Sequence, residues 1–136
     1  MAHPLRIYQT SFVVSDLDRS VAFYCDNLGM TKKNIIQPES AGASIITGYP
    51  GVQMRIAQLM SGDHEIELIQ YLSPQGAKRP LERKDLGAAH IAFQVEDIHA
   101  VYNELKAKGV RFVNPPTASG PPSPATSMTQ MASPWN

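Results

Sequence analysis

Residues 9–29 read QTSFVVSDLDRSVAFYCDNLG, and residues 90–109 read HIAFQVEDIHAVYNELKAKG. When the two segments are aligned, Phe12 matches Phe93 and Asp16 matches Asp97. In each segment an alternating, strand-like stretch precedes an acidic residue that can cap a helix, and helical spacing then continues to a glycine. This internal repeat predicts two copies of one strand–helix–strands unit, which pair within one domain so that each buries the other's open edge.

The chain between the two copies is predicted to contain short strands separated by prolines and glycines. Alternation and β-branched residues indicate four of them, at Lys33–Ile36, Ser44–Thr47, Met54–Leu59 and His64–Tyr71. The segment Leu72–Leu86 contains two prolines and several charges, so we interpret it as a linker.

Composition excludes several classes of function. The chain has 136 residues, 43% of them hydrophobic and 18% charged, which is enough apolar material for a core. Lysine plus arginine equal aspartate plus glutamate at 12 each, so we expect a small-molecule partner and neither nucleic acid nor a membrane. The lone Cys25 cannot form an internal disulfide, and the start MAHPLRIY lacks a signal-peptide pattern, so a cytoplasmic location is expected.

Polar side chains are predicted to share one face of the strands. Thr10, Phe12 and Val14 match the side that the following helix covers, and Glu67 points away from Ile66 and Leu68. The opposite face then carries Gln9, Ser11, His90, Ala92, Gln94 and Glu67. A glutamine, a glutamate and a histidine converging there suit zinc, nickel, cobalt, manganese or iron(II). The other interpretation, in which these are ordinary polar strand residues, stays open at this point.

Three strings carry a resemblance to a known family: SFVVSDLDRSVAFYCDNLGM at 11–30, EIELIQY at 65–71 and HIAFQVEDIHAVYNELKAKGV at 90–110. They resemble the vicinal oxygen chelate superfamily, which includes glyoxalase I, methylmalonyl-CoA epimerase, extradiol dioxygenases and the fosfomycin and bleomycin resistance proteins. The resemblance covers roughly residues 7–116. It implies an α+β fold in which paired βαβββ modules form a cupped mixed sheet around a divalent metal.

The resemblance also implies an organisation for the chain. One glyoxalase-like domain, residues 1–136, would consist of a first module at 5–71, a linker at 72–86, the start of a second module at 87–114 and an atypical proline-rich tail at 115–136. Because family members often build the site across a subunit interface, a homodimer is expected.

The resemblance assigns the metal ligands to Gln9, Glu67 and His90, with Glu67 also the candidate catalytic base. Glutamine at position 9 favours a glyoxalase-like lyase or isomerase, which would abstract a proton and stabilise an enediolate. Substrate contacts are assigned to Ser11, Val13, Tyr71, Ala92 and Gln94. Val13 and Tyr71 stand where glyoxalase I has its glutathione contacts, so a different carbonyl or thioester substrate is expected. Two alternatives are an acyl-CoA-type epimerase and a metal-free, bleomycin-resistance-like binding protein.

The tail departs from the family, which continues through three more strands to a fourth ligand, a glutamate. Prolines are dense after residue 114, and they cannot donate to a central ladder. Read one base earlier, the codons of residues 128–136 permit Asp-Pro-Asn/Asp-Gly followed by Leu/Met/Val-Glu, which is the expected turn and ligand. A reading-frame shift after about residue 116 is therefore predicted, with a natural proline-rich terminus as the alternative, and residues 117–136 are not expected to form the closing strands.

Overall fold

The computed structural model describes residues 4–77, 82–118 and 127–128, and these fall into two compact units that divide between residues 77 and 82. The fold is α+β, with an open four-stranded sheet and three helices. In chain order, the elements are β1 (Gln9–Val13), α1 (Leu17–Ala22), β2 (Thr31–Ile36), α2 (Ser40–Thr47), β3 (Gln53–Ser61), β4 (His64–Ser73), α3 (Ile98–Ala107), β5 (Thr117–Ala118) and β6 (Ser127–Met128).

The first helix begins where the sequence places its cap. The Asp16 side chain accepts a hydrogen bond from the backbone N–H of Arg19 at 3.0 Å, which satisfies one of the helix's free donors. A π-helical turn over Phe23–Asn27 continues α1, and Gly29 follows at a φ of 66°, a conformation that glycine adopts without steric cost. The predicted helix and its stop are thus confirmed.

The sheet has the strand order β1-β4-β3-β2, with β1 parallel to β4 and the other neighbours antiparallel. Its register divides the side chains between two faces. On one face, Thr10 and Phe12 of β1 pair with Ile66 and Leu68 of β4, and this is the face that α1 covers. The largest fully buried side chains are Leu17, Leu59, Ile66, Leu68 and Val52. The predicted helix-covered side of β1 is therefore confirmed, and the opposite face holds the remaining strand residues.

The predicted strand at Ser44–Thr47 is wrong, because these residues form the last part of α2. The Ile45–Thr47 run favours a strand locally, but Ala43 packs with Val52 and Met54, which fixes the segment as a helix against the sheet. Gly48 ends the helix at a φ of 74°. A second boundary differs as well: β4 continues through Ser73, two residues into the predicted linker.

In the second unit the predicted helix is confirmed, but the alternating stretch before it does not form a strand. Asp97 caps α3 by accepting from the backbone N–H groups of His99 and Ala100, just as Asp16 caps α1. Residues 88–95 form no strand, although Ile91, Phe93 and Val95 are less exposed than their neighbours. A strand requires a ladder partner, and within residues 82–118 and 127–128 the only ladder joins the two-residue strands β5 and β6.

The tail predictions fall mainly outside the described residues, since 119–126 and 129–136 are not among them. The frame shift and the missing closing strands therefore stay predictions. In the described ranges, no helix combines the length and apolar character needed to cross a bilayer.

Candidate functional site

Two of the three predicted metal ligands meet on the sheet face opposite α1. The Gln9 Nε2 group donates a hydrogen bond to Glu67 Oε2 at 2.5 Å, and both side chains are partly buried. Gln9 lies on β1 and Glu67 on β4, 58 residues apart in sequence, and the parallel pairing of the two strands brings them together. An amide and a carboxylate are thus held at hydrogen-bonding distance on a partly exposed surface.

A second polar pair lies beside the first and was not predicted. Glu65 pairs directly with Gln9 across β1 and β4, and only 4% of its surface is exposed. Its Oε2 accepts from Lys33 Nζ at 2.7 Å, whereas its buried Oε1 has no hydrogen-bond partner. The Glu65 carboxylate raises the pKa of Lys33, first through this hydrogen bond and then through charge attraction. The one available signal was spacing: Glu65 lies two residues before Glu67 and so shares its face.

The other end of this face is apolar. Val13 is 60% exposed and pairs with Ile69, which lies two residues beyond Glu67 on the same side of β4. Ile69, Ile56 and Tyr71 pack against the buried cluster that Ala43 of α2 forms with Val52 and Met54. The face therefore has a polar end and an apolar end, and α2 covers part of the latter.

The predicted substrate residues of the first unit lie on this face. Ser11 pairs with Glu67, and Val13 follows it two residues along β1. Tyr71 pairs with Met54 and is half-buried, with its ring in an edge contact to Tyr49 at 6.2 Å. All three share the face of Gln9 and Glu67, as the alternation predicted.

The predicted site residues of the second unit lie in the segment without a strand. His90, Ala92 and Gln94 are all exposed there. Their assignment to the site stays a prediction.

His64, at the start of β4, lies on the opposite face of the sheet. His64 Nε2 lies 3.1 Å from Thr10 Oγ1, which pairs with the helix-side residue Ile66. His64 therefore lies on the sheet face away from Gln9 and Glu67.

The donor set of the first unit fits part of a cation site. No cluster of three or more His, Cys, Asp or Glu residues occurs among the described residues. Gln9 and Glu67 nevertheless bring a carboxamide and a carboxylate to one place through the Gln9 Nε2–Glu67 Oε2 hydrogen bond, and divalent cations accept an oxygen of either group as a ligand. Two groups of the kinds that bind divalent cations are therefore adjacent on this sheet.

Comparison with protein families gives one match. The family described as "Glyoxalase/Bleomycin resistance protein/Dioxygenase superfamily" matches residues 6–123, most of the chain.

Individual relatives agree with that match. The chain is 31% identical to a probable lactoylglutathione lyase of Synechocystis over 81% of this chain and 75% of that protein. It is 27% identical to a 2-epi-5-epi-valiolone epimerase of Actinomyces over 95% of this chain and 74% of that protein. Among solved structures, a glyoxalase family protein from Bacillus cereus is similar with a TM-score of 0.74 and 27% identity, covering 83% of this chain and 78% of that one.

Proposed function

The chain belongs to the glyoxalase/bleomycin resistance protein/dioxygenase superfamily, and we propose that it is a divalent-metal-dependent lyase or isomerase acting on a small carbonyl or thioester substrate. The observation that carries this proposal is the 2.5 Å contact between Gln9 and Glu67 on the exposed sheet face. This contact joins two of the three residues that the family resemblance assigns to the metal.

Gln9, Glu67 and His90 would hold the cation. Bound there, it would act as a Lewis acid that polarises an oxygen of the substrate. The metal is zinc, nickel, cobalt, manganese or iron, all of which accept mixed oxygen and nitrogen ligands.

The second role proposed for Glu67 is that of the catalytic base. Its carboxylate is partly exposed and can accept a proton from the carbon next to a substrate carbonyl. Proton removal at such a carbon is the step that lyases, isomerases and epimerases of this kind share. The 27% identity to a 2-epi-5-epi-valiolone epimerase supports an epimerase as the second candidate, and the family resemblance suggests an acyl-CoA or related acid as its substrate.

The apolar end of the face supports a substrate other than a glutathione adduct. Val13 and Tyr71 offer no charge to a glutathione carboxylate. Ile69 pairs with Val13 and lies between Glu67 and Tyr71 along β4. A substrate with an oxygen-bearing end near Gln9 and an alkyl or aryl end near Ile69 fits this division. Ser11, Ala92 and Gln94 are the remaining substrate contacts in this proposal, and a homodimer is proposed as its assembly.

The proposal is tested by proton exchange. Candidate 2-hydroxycarbonyl compounds and acyl thioesters are incubated with the metal-supplied protein in D₂O, and deuterium incorporation next to the carbonyl is followed by NMR. Replacing a general base typically lowers the rate by about 10²–10⁴-fold, so we expect that loss in Glu67→Gln.

Asp63→Asn is the matched control, because Asp63 is an exposed carboxylate at the β3–β4 turn. Exchange that survives Glu67→Gln unchanged would contradict the assignment of the base. If compounds bound but neither exchange nor metal binding occurred, a metal-free binding protein of the bleomycin-resistance type would be the better description.

A further inference from the structure

The buried carboxylate of Glu65 has one unpaired oxygen. In the described part of the chain, Glu65 Oε1 is the buried side-chain oxygen or nitrogen that lacks a hydrogen-bond partner. Leaving a buried polar atom unpaired costs free energy, so such an atom in a folded protein calls for an explanation. The other oxygen of the same carboxylate is held by Lys33.

The nearest strand partner of Glu65 supplies a donor. Gln9 and Glu65 are opposite each other in the β1–β4 ladder and share a face. The carboxamide of Gln9 has one oxygen and one N–H₂ group, and the N–H₂ group now faces Glu67. If the oxygen faced the cation instead, as the proposed function requires, the N–H₂ group would need a new acceptor.

We propose that Glu65 is a positioning residue whose free oxygen accepts the Gln9 N–H₂ group when the Gln9 oxygen turns to a cation held with Glu67. The inference rests on the proposed function. Lys33 holds the carboxylate in place through its other oxygen, so Glu65 orients a ligand without being one.

The charges on this face agree with separate roles for Glu65 as the positioning residue and Glu67 as the cation ligand. The Lys33 ammonium neutralises the Glu65 carboxylate at 2.7 Å, while Glu67 is contacted by the uncharged Gln9 amide. Glu67 is therefore the carboxylate left to balance a cation.

The test is a double-mutant cycle on cation affinity. Co²⁺ alone is titrated into the full chain, and its dissociation constant is measured for the unchanged protein, Glu65→Gln, Gln9→Leu and the double variant. Glu65→Gln replaces one carboxylate oxygen with an N–H₂ donor, so it no longer offers Lys33 and Gln9 a separate acceptor oxygen each. Loss of such an outer partner typically weakens metal affinity about 10–100-fold, which is the loss we expect in Glu65→Gln.

In the Gln9→Leu background, Glu65→Gln should change the dissociation constant within about twofold, the scatter for independent sites. Equal losses in both backgrounds would overturn the inference, because Glu65 would then act through the fold or through its charge. If Gln9→Leu and Glu67→Gln both left the affinity unchanged, the cation site itself would be wrong, and the proposed function would fail together with the inference.

Asp18→Asn is the matched control, because it breaks the Asp18–Arg55 ion pair of the same unit on the helix side of the sheet. Its Co²⁺ affinity should match that of the unchanged protein. NMR gives a second readout that remains available if Glu65→Gln folds poorly. In the unchanged protein, the Gln9 side-chain N–H₂ signals should shift when Zn²⁺ is added. In Lys33→Met, the chemical shifts of the same signals should differ from those of the unchanged protein. Signals that do neither would contradict the inference.

Discussion

Cation binding should change the thermal stability of this chain in a way that depends on Gln9 and Glu67. At a free Co²⁺ concentration of one hundred times the dissociation constant, binding to the folded state adds about 2.7 kcal/mol to the free energy of unfolding. Because 1 kcal/mol shifts the Tm of a domain of this size by about 3–5 °C, we expect a rise of roughly 8–13 °C.

The two ligand variants should differ in Tm without cation, whereas both should lose the rise in Tm that the cation produces. Gln9→Leu removes the hydrogen bond to the Glu67 carboxylate, which is worth about 1 kcal/mol in this half-exposed setting, so its Tm should fall by roughly 3–5 °C. Glu67→Gln keeps an oxygen that can accept from Gln9, so its Tm without cation should stay close to that of the unchanged protein. Both variants should lose most of the rise with Co²⁺.

The measurement is differential scanning calorimetry or circular dichroism melting with and without Co²⁺. Asp18→Asn serves again as the control and should retain the full rise with Co²⁺, because its ion pair lies on the other face. A rise of the same size in Gln9→Leu and Glu67→Gln as in the unchanged protein would refute the assigned ligands.

Four further outcomes are expected. Leu68→Ala should lower the free energy of unfolding by about 2–5 kcal/mol in urea denaturation, since Leu68 is fully buried. The control Ile46→Ala should have a free energy of unfolding within about 0.5 kcal/mol of that of the unchanged protein, because Ile46 is 86% exposed. Two backbone N–H groups lower the pKa of the Asp97 cap, so its stabilising effect is present above the unfolded value of about 3.9 and is lost as pH falls through the lower folded value. Asp97→Ala should therefore reduce α3 helicity, followed by circular dichroism, at neutral pH, and the difference from the unchanged protein should shrink as the carboxyl group is protonated in acid. The methylglyoxal–glutathione hemithioacetal should turn over about a hundredfold less efficiently than in a glyoxalase that has glutathione contacts at the Val13 and Tyr71 positions, and ordinary glyoxalase turnover would contradict this. Restoring the predicted reading frame after residue 116 should tighten Co²⁺ binding by adding a glutamate, and equal affinity of the two proteins would argue against the fourth ligand.

The local features of this protein could be read from its sequence. Asp16 and Asp97 were recognised as caps because a capping side chain bonds to donors two or three residues away, within one turn of the same segment. The shared face of Gln9 and Glu67 was predictable for a similar reason. Strand alternation has a period of two, so the buried Ile66 and Leu68 assign the face of the residue between them.

The tertiary structure decided what depends on distant partners. The Ser44–Thr47 run favours a strand by itself, yet contact of Ala43 with Val52 and Met54 holds it as a helix. Residues 88–95 alternate as a strand does, but a strand exists only where another backbone completes its hydrogen bonds, and no such ladder occurs there. Lys33 and Glu65 meet because Lys33 on β2 reaches a carboxylate on β4, 32 residues away, in a sheet whose strand order no local pattern encodes.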